Sequence, residues 1–242
     1  MKITIYLRLI IILSQIMLVD LLQASDKKQF SGINQLTFFQ QKYNKAFVGN
    51  GFLLRYKNKI YALTVKHALL EAQTPEMKFV DIETHIKEWR IHPNQKSNHS
   101  VLLGKLLNTN AKEKIDMNVL TKDWLVFSVK SNDSNLEPLD IRLLPLNNGE
   151  TLTAYGCSYS KQKSCLQDEY SGSFISMEEN NLRISLPDLD LSQLRGLSGS
   201  PVLDVDGKLV GVVSNVLKSK SGDGFDFAPA NLDYLMEILN HI

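Results

Sequence analysis

The chain contains many short apolar segments separated by turn residues, and this pattern limits its fold more than any other feature of the sequence. The segments lie at residues 46–48, 52–56, 60–65, 101–103, 124–129, 151–155, 173–176, 182–186, 202–203 and 209–213. No helices alternate with them, as they would in a fold built on a parallel sheet. We therefore predict an all-β sandwich or barrel architecture.

A polar stretch over residues 131–150, which contains prolines, divides the chain into two similar halves. We predict one domain over residues 25–135 and a second over residues 136–242. Apolar residues near the end of the second half recur at helical spacing: Leu232, Leu235, Ile238 and Leu239. They follow Asn231, a residue type that caps helices, and so predict an amphipathic C-terminal helix over 232–242, packed on the second half.

The first 24 residues form a separate segment that is typical of a secretory signal peptide. Lys2 and Arg8 precede an apolar stretch over residues 9–19, and the segment ends on the small residue Ala24. This stretch is shorter than the roughly 20 residues that a membrane-spanning helix needs. We expect export to a periplasm or to the extracellular medium. An uncleaved anchor is the alternative, because Leu22 is large for the end of a cleaved leader.

The charge balance argues against nucleic acid as a partner. The chain has 27 Lys and Arg residues against 26 Asp and Glu residues, and the leader holds two of the former and one of the latter. The remainder is formally neutral, whereas a surface that binds phosphates is strongly basic. We expect no nucleic acid partner, and no membrane contact beyond the leader.

Cys157 and Cys165 flank a polar stretch of turn-forming residues. Two thiols in an oxidising compartment usually pair, so export predicts a disulfide between them. On the loop-entropy model this bond would contribute roughly 2–3 kcal/mol to stability. The alternative is two independent thiols in a reducing cell. Two cysteines are too few for a structural zinc site.

Ser198 lies in a glycine-framed sequence, GLSGSP at residues 196–201. A serine hydroxyl is a poor nucleophile at neutral pH and needs a nearby base, together with donors for the oxyanion that it creates. Glycines allow a sharp turn and let backbone N–H groups approach one point. Most such sequences are nonetheless simple turns, so the interpretation depends on a base and an acid elsewhere in the chain.

His67 and Asp123 lie at the edges of apolar segments in the first half of the chain, where barrel rims commonly carry sites. Taken alone, each residue is more typical of a structural role. His67 would be a core histidine bonded to a backbone carbonyl, and Asp123 would lie in a solvated turn. Asp116 competes with Asp123 as the acid, but a weaker strand follows it. Together with Ser198 in the second half, they occur in the order His, Asp, Ser.

These motifs resemble those of the chymotrypsin-like (trypsin-clan) serine proteases. Residues 63–68, LTVKHA, resemble that family's histidine motif, residues 123–126 its aspartate motif and residues 196–202 its nucleophile motif. The resemblance extends over about residues 40–239. Within the clan, the motifs around Ser198 and His67 are most similar to those of bacterial glutamyl endopeptidases. Residues 227–231, which precede the C-terminal helix, are similar to the corresponding segment of periplasmic proteases of the high-temperature-requirement type.

The resemblance implies two antiparallel six-stranded β-barrels with the site in the cleft between them. Ser198 would attack the scissile carbonyl, His67 would take and return the proton, and Asp123 would orient the imidazole. The N–H groups of Gly196 and Ser198 would form the oxyanion hole. The resemblance thus implies an exported serine endopeptidase that acts on proteins or peptides and needs no metal or organic cofactor.

The resemblance also implies a specificity pocket. Its expected residues are Ser192, Ser214, Asn215, Val216 and Asp226. Of these, Asp226 would favour a basic side chain of the substrate, and Val216 would narrow the pocket.

Leu197 departs from the pattern of the digestive relatives. An acidic residue before the serine pairs with a newly cut N-terminus in those enzymes, and a leucine cannot form that ion pair. Local contacts or substrate must order this loop instead. The departure motivates the alternative of a catalytically silent, protease-like module that binds peptides or a partner protein.

Overall fold

The structure is a computed structural model that describes residues 28–93, 99–161, 167–186, 191–220 and 224–242. Within these ranges fourteen strands form most of the fold. They are β1 (Gly32–Phe38), β2 (Asn50–Tyr56), β3 (Lys59–Thr64), β4 (Phe79–Val80), β5 (Ile86–His92), β6 (Val101–Leu106), β7 (Asn110–Lys114), β8 (Leu125–Asn132), β9 (Thr151–Gly156), β10 (Asp168–Glu178), β11 (Asn181–Ser185), β12 (Pro201–Leu203), β13 (Leu209–Lys218) and β14 (Phe225–Ala230). The α-helices are short: α1 (Ala68–Ala72), α2 (Leu191–Leu194) and α3 (Asp233–Asn240).

The strands close into two antiparallel barrels of six strands each. The first has the order β1-β2-β3-β8-β6-β5 and the second β10-β11-β14-β13-β12-β9, while β4 and β7 form a separate pair. The predicted all-β architecture of two six-stranded barrels is therefore confirmed. The predicted segment 46–48 is not a strand; it connects the 3-10 turn at Gln41–Tyr43 to β2.

Local sequence explains the tight hairpin of β2 and β3. Lys57 and Asn58 form a two-residue turn with φ angles of 46° and 63°, the pair of positive values that type I′ turns require. Its register pairs Phe52 with Leu63, and both side chains are fully buried in the first barrel. The hairpin thus directs the end of β3 toward the rim where His67 follows.

The polar stretch between the two halves joins the barrels by backbone pairing. Leu139 forms an isolated parallel bridge with Leu54 of β2, and Ile141 forms one with Leu209 of β13. The stretch therefore runs as an extended segment that contacts both barrels, which fixes them relative to each other.

Helix α3 confirms the predicted C-terminal helix but not its expected place on the second half. Leu235, Ile238 and Leu239 are buried in a core cluster most of whose members belong to the first barrel. The helix begins at Asp233, whose N–H donates to the Asn231 side-chain oxygen at 3.1 Å. Helix α3 therefore shares a core with the first barrel. The predicted leader lies outside the described residues, and none of the helices within them is long and apolar enough to cross a membrane.

Candidate active site

Strand pairing brings His67 and Asp123 together. Thr64, the last residue of β3, pairs with Leu125, the first residue of β8. His67 follows β3 and Asp123 precedes β8, so both lie at the same end of the strand pair. The His67 N–H donates to Asp123 Oδ1 at 2.8 Å, and His67 Nδ1 lies 2.6 Å from Asp123 Oδ2.

Ser198 completes a chain of hydrogen bonds from the second barrel. Its Oγ lies 2.7 Å from Nε2 of His67, so the imidazole lies between Ser198 and Asp123. An ionised carboxylate only accepts hydrogen bonds, so Nδ1 of His67 carries the proton that faces Asp123. Nε2 is then free to accept the hydroxyl proton of Ser198. The structure therefore brings together all three residues that the sequence analysis selected.

Asp123 is buried, with 1% of its surface exposed, and a third donor supports its charge. The hydroxyl of Ser214 donates to Asp123 Oδ2 at 2.5 Å, in addition to the two groups of His67. Three donors on one carboxylate satisfy its oxygens and offset the cost of burying it. The sequence predicts Ser214 only as a pocket residue, because its contact with the acid joins residues 91 positions apart.

The loop around Ser198 directs its backbone carbonyls away from the nucleophile. The oxygen of Arg195 accepts the N–H of Tyr159 at 2.8 Å, and the oxygen of Leu197 accepts the N–H of Ser200 at 2.9 Å. Because a trans peptide holds N–H and C=O on opposite sides, the N–H groups of Gly196 and Ser198 point away from those partners. Within the described part of the chain neither N–H has an acceptor. Both groups can therefore donate to a ligand.

Glycine is required at position 199 of this loop. Gly199 has a φ of +83°, and a Cβ there would lie 2.0 Å from the backbone oxygen of Asn50. No other residue type combines this left-handed backbone with such a close approach between the barrels. The glycine that follows Ser198 thus has a steric cause.

Leu197 is fully buried in the core of the second barrel, where it packs in one cluster with Leu152, Phe174 and Val202. Burying a leucine side chain contributes about 1.5–3 kcal/mol. Its N–H also donates to the oxygen of Leu194 at 3.0 Å. Apolar packing therefore anchors the residue before the serine, in the position where the digestive relatives use an ion pair.

Tyr159 supports the loop from the opposite side. Its ring packs edge-on against that of Phe47, with the two ring centroids 4.7 Å apart. Its hydroxyl donates to Glu71 Oε2 at 2.6 Å. Burial, and then the hydrogen bond to Glu71, raise the pKa of Tyr159, so the phenol stays protonated and remains a donor. Tyr159 thus links the segment that holds the oxygen of Arg195 to Glu71 in the first turn of helix α1.

A cavity of about 230 Å³ opens beside Ser198. Its apolar wall consists of Leu194, Val213, Val216 and Phe227, and its polar lining includes Arg195, Ser214 and Asn215. Three of the five predicted pocket residues line this cavity, namely Ser214, Asn215 and Val216. The other two, Ser192 and Asp226, do not.

Asp226 is engaged elsewhere, which corrects its expected role. Its Oδ2 accepts from Nη1 of Arg183 at 2.6 Å, and both side chains are more than 90% buried. Asp226 lies opposite Leu217 in the β13–β14 pair, whereas the next residue, Phe227, lines the cavity. Because successive side chains of a strand point to opposite faces, Asp226 faces away from the cavity.

The remaining sequence-based expectations concern thiols and metals. Cys157 is buried, and its backbone N–H and oxygen both bond to Asn50. Cys165 lies outside the described residues, so the disulfide stays a prediction. Within the described ranges, no group of three or more His, Cys, Asp or Glu side chains is arranged to hold a metal ion.

Comparison with solved structures shows the same fold in serine proteases. A Glu endopeptidase solved in complex with MPD is 19% identical, and the match covers 87% of this chain and 89% of that one, with a TM-score of 0.56. A thermostable serine protease, AL20, from an extremophilic microorganism is 12% identical, with 88% and 96% covered and a TM-score of 0.59. A search of curated protein sequences found no match.

The model of the trypsin-like peptidase domain family matches residues 49–212, about two thirds of the chain. This range includes His67, Asp123 and Ser198. The chain therefore belongs to the trypsin-like peptidase family and is a serine-type endopeptidase.

Proposed function

We propose that the chain is an exported endopeptidase in which His67, Asp123 and Ser198 form the catalytic triad. The observation that carries this proposal is the unbroken chain of hydrogen bonds from Asp123 through His67 to Ser198, at 2.6 and 2.7 Å. Both distances fall in the range that a nucleophile and its base need for proton transfer.

In the proposed reaction, Ser198 Oγ attacks the carbonyl carbon of the scissile peptide bond while Nε2 of His67 takes its proton. The oxyanion of the tetrahedral intermediate accepts hydrogen bonds from the N–H groups of Gly196 and Ser198. The bond to nitrogen then breaks, and His67 gives its proton to the leaving amine. Water deprotonated by His67 attacks the acyl-enzyme in the same way and regenerates Ser198. Asp123 keeps the imidazole in the required tautomer and stabilises its charged form.

The cavity beside Ser198 supports a preference for apolar side chains next to the scissile bond. Val213, Val216 and Phe227 give it an apolar wall, and a volume of about 230 Å³ suits a side chain of moderate size. The carboxylate that would attract a basic side chain, Asp226, is neutralised by Arg183 and faces away. We propose that alanine, valine or leucine is preferred to lysine or arginine at this position.

The proposed export rests on the N-terminal sequence, in which basic residues, a short apolar stretch and a terminal small residue follow one another. Cell fractionation with a C-terminal tag, followed by sequencing of the mature N-terminus, tests this part. A protein that stays in the cytoplasm with its full N-terminus would contradict it.

The triad is tested by labelling the mature protein with a fluorophosphonate, which reacts with activated serines, and by a panel of peptide substrates. We expect label on Ser198, its loss in Ser198→Ala and in His67→Ala, and turnover of apolar substrates that depends on Ser198. A folded protein that binds peptides equally well after Ser198→Ala, with no label and no turnover, would instead support a catalytically silent binding module.

A further inference from the structure

Asn50 connects the two barrels through a buried side-chain amide. It is the first residue of β2 in the first barrel, and 1% of its surface is exposed. Its Nδ2 donates to the backbone oxygen of Gly196 at 2.7 Å and to that of Cys157 at 3.1 Å. Its Oδ1 accepts the N–H of Cys157 at 3.0 Å. One side chain therefore satisfies three backbone groups of the second barrel.

The backbone of Asn50 also contacts the nucleophile segment and is itself firmly held. Its N–H donates to the oxygen of Ser198 at 2.6 Å. Its oxygen accepts from Thr64 Oγ1 at 2.7 Å and from Asn34 Nδ2 at 2.6 Å. Asn34 and Thr64 are buried residues of the first barrel, so the amide projects from a rigid frame.

These contacts fix the conformation of Gly196. A glycine has few steric limits on φ and ψ, so external hydrogen bonds must decide where its N–H points. The peptide before Gly196 is held by Tyr159 through the oxygen of Arg195, and the peptide after it is held by Asn50. Together they set the φ of +93° and the direction of the N–H that the proposed mechanism uses.

The chemistry of the side chain explains why asparagine suits this position. The three backbone groups require two donors and one acceptor at the end of a short planar side chain. A carboxamide offers both, whereas a hydroxyl has one proton and an ionised carboxylate has none to donate. Leaving these backbone groups unpaired in a buried site would favour rearrangement of the loop.

We propose that Asn50 is a positioning residue for the oxyanion hole: by holding the oxygen of Gly196, it keeps the Gly196 N–H directed at the reacting carbonyl. This inference rests on the proposed function of the same site. Asn50 touches neither substrate nor the reacting atoms and acts through the Gly196 backbone.

The test compares the full mature chain with Asn50→Ala and, in case the cavity of that variant prevents folding, with the bulkier Asn50→Leu. Both remove the donors to Gly196. We expect kcat on the best peptide of the panel to fall about 10- to 100-fold, with KM changed by less than about threefold, because the lost interaction acts on the transition state. The rate of fluorophosphonate labelling and the affinity for a peptide aldehyde should fall by a similar factor.

Asn231→Ala is the matched control for a general loss of stability. Asn231 is also buried, and its side chain also bonds to several groups, but these belong to Met177, Glu179 and Asp233 and not to the Ser198 loop. Measured below each variant's melting temperature, Asn231→Ala should keep kcat within about twofold.

Three outcomes separate this inference from the proposed function. If the wild type labels and turns over substrate while a folded Asn50 variant keeps its kcat and aldehyde affinity within about twofold, only the role of Asn50 is overturned. Equal losses of kcat in the Asn50 variants and in Asn231→Ala would also overturn it. A folded wild type that neither labels nor hydrolyses any substrate overturns the proposed function, and the role of Asn50 with it.

Discussion

Thr64 and Leu125 are paired across the β3–β8 ladder, and this single register brings His67 and Asp123 to the same end of the first barrel. His67 and Asp123 are 56 positions apart in the sequence but form two hydrogen bonds with each other. A barrel built this way delivers an oriented imidazole before any substrate binds, which is the preorganisation that acid–base catalysis needs.

Asp123→Asn should therefore reduce kcat by about 10³- to 10⁴-fold with little change in KM. The amide keeps the size of the side chain but no longer enforces the tautomer with the proton on Nδ1. Steady-state kinetics on the best substrate of the panel measures the effect. Asp116→Asn is the control, since Asp116 only caps the 3-10 turn through the N–H of Asn118. Equal losses in the two variants would exclude a specific role for Asp123.

Leu197→Ala should lower the free energy of unfolding by about 2–5 kcal/mol, the usual cost of truncating a fully buried leucine. Activity should also fall, because the residue next to Ser198 loses its apolar anchor. Urea denaturation and the rate of fluorophosphonate labelling report the two effects. Leu143→Ala is the control: Leu143 is 82% exposed, and its loss should change stability by less than about 0.5 kcal/mol. An unchanged labelling rate in a folded Leu197→Ala would show that packing does not order the loop.

The parts of the fold that could be predicted are those whose strands are almost continuously apolar. Residues 52–56, 60–65 and 124–129 correspond closely to β2, β3 and the first part of β8. Most positions of β2 and β3 are buried, as are the first three residues of β8. Strand β5 was not predicted, because Lys87, Glu88 and Arg90 interrupt its apolar residues. Glu88 and Arg90 point to the opposite face of β5 from the buried Trp89 and Ile91. Lys87 also faces solvent, because the pairing with β1 is irregular between Ile86 and Glu88.

In the candidate site, too, some residues could be predicted from the sequence and others could not. His67, Asp123 and Ser198 could be found because each stands beside a recognisable apolar segment. Asn50 could not, because its role depends on contacts with residues 107 and 146 positions away. The sequence predicts Asp226 as a pocket residue, because without the register of β14 it does not show which side chains of that strand point toward the cavity. A shift of one residue exchanges the inside and outside of a strand, and the structure places Phe227 at the cavity instead.

Asp226→Ala should destabilise the fold without changing substrate preference. It removes a partner of the buried Arg183 guanidinium, which costs about 1–3 kcal/mol. The ratio of kcat/KM for basic against apolar substrates should stay within about twofold. Asp140→Ala, which breaks the exposed pairs with Arg55 and Lys208, is the control and should change stability by less than about 1 kcal/mol. A clear fall in the relative activity on basic substrates would show that Asp226 does contribute to the specificity pocket.

His92 should make stability depend on pH between about 7.5 and 5.5. Burial, and then the positive charge of Arg90, lower the pKa of His92 below its ordinary value of 6.5, although Asp133 opposes the shift. As the pH falls through 6.5, the unfolded chain binds a proton that the folded chain does not, so the free energy of unfolding decreases. His92→Gln has no ionisable group at this position, and we expect a smaller difference in unfolding free energy between pH 7.5 and 5.5. Urea titrations of both proteins at the two pH values measure it. The same pH dependence in both would show that His92 accepts its proton as readily in the folded chain as in the unfolded one.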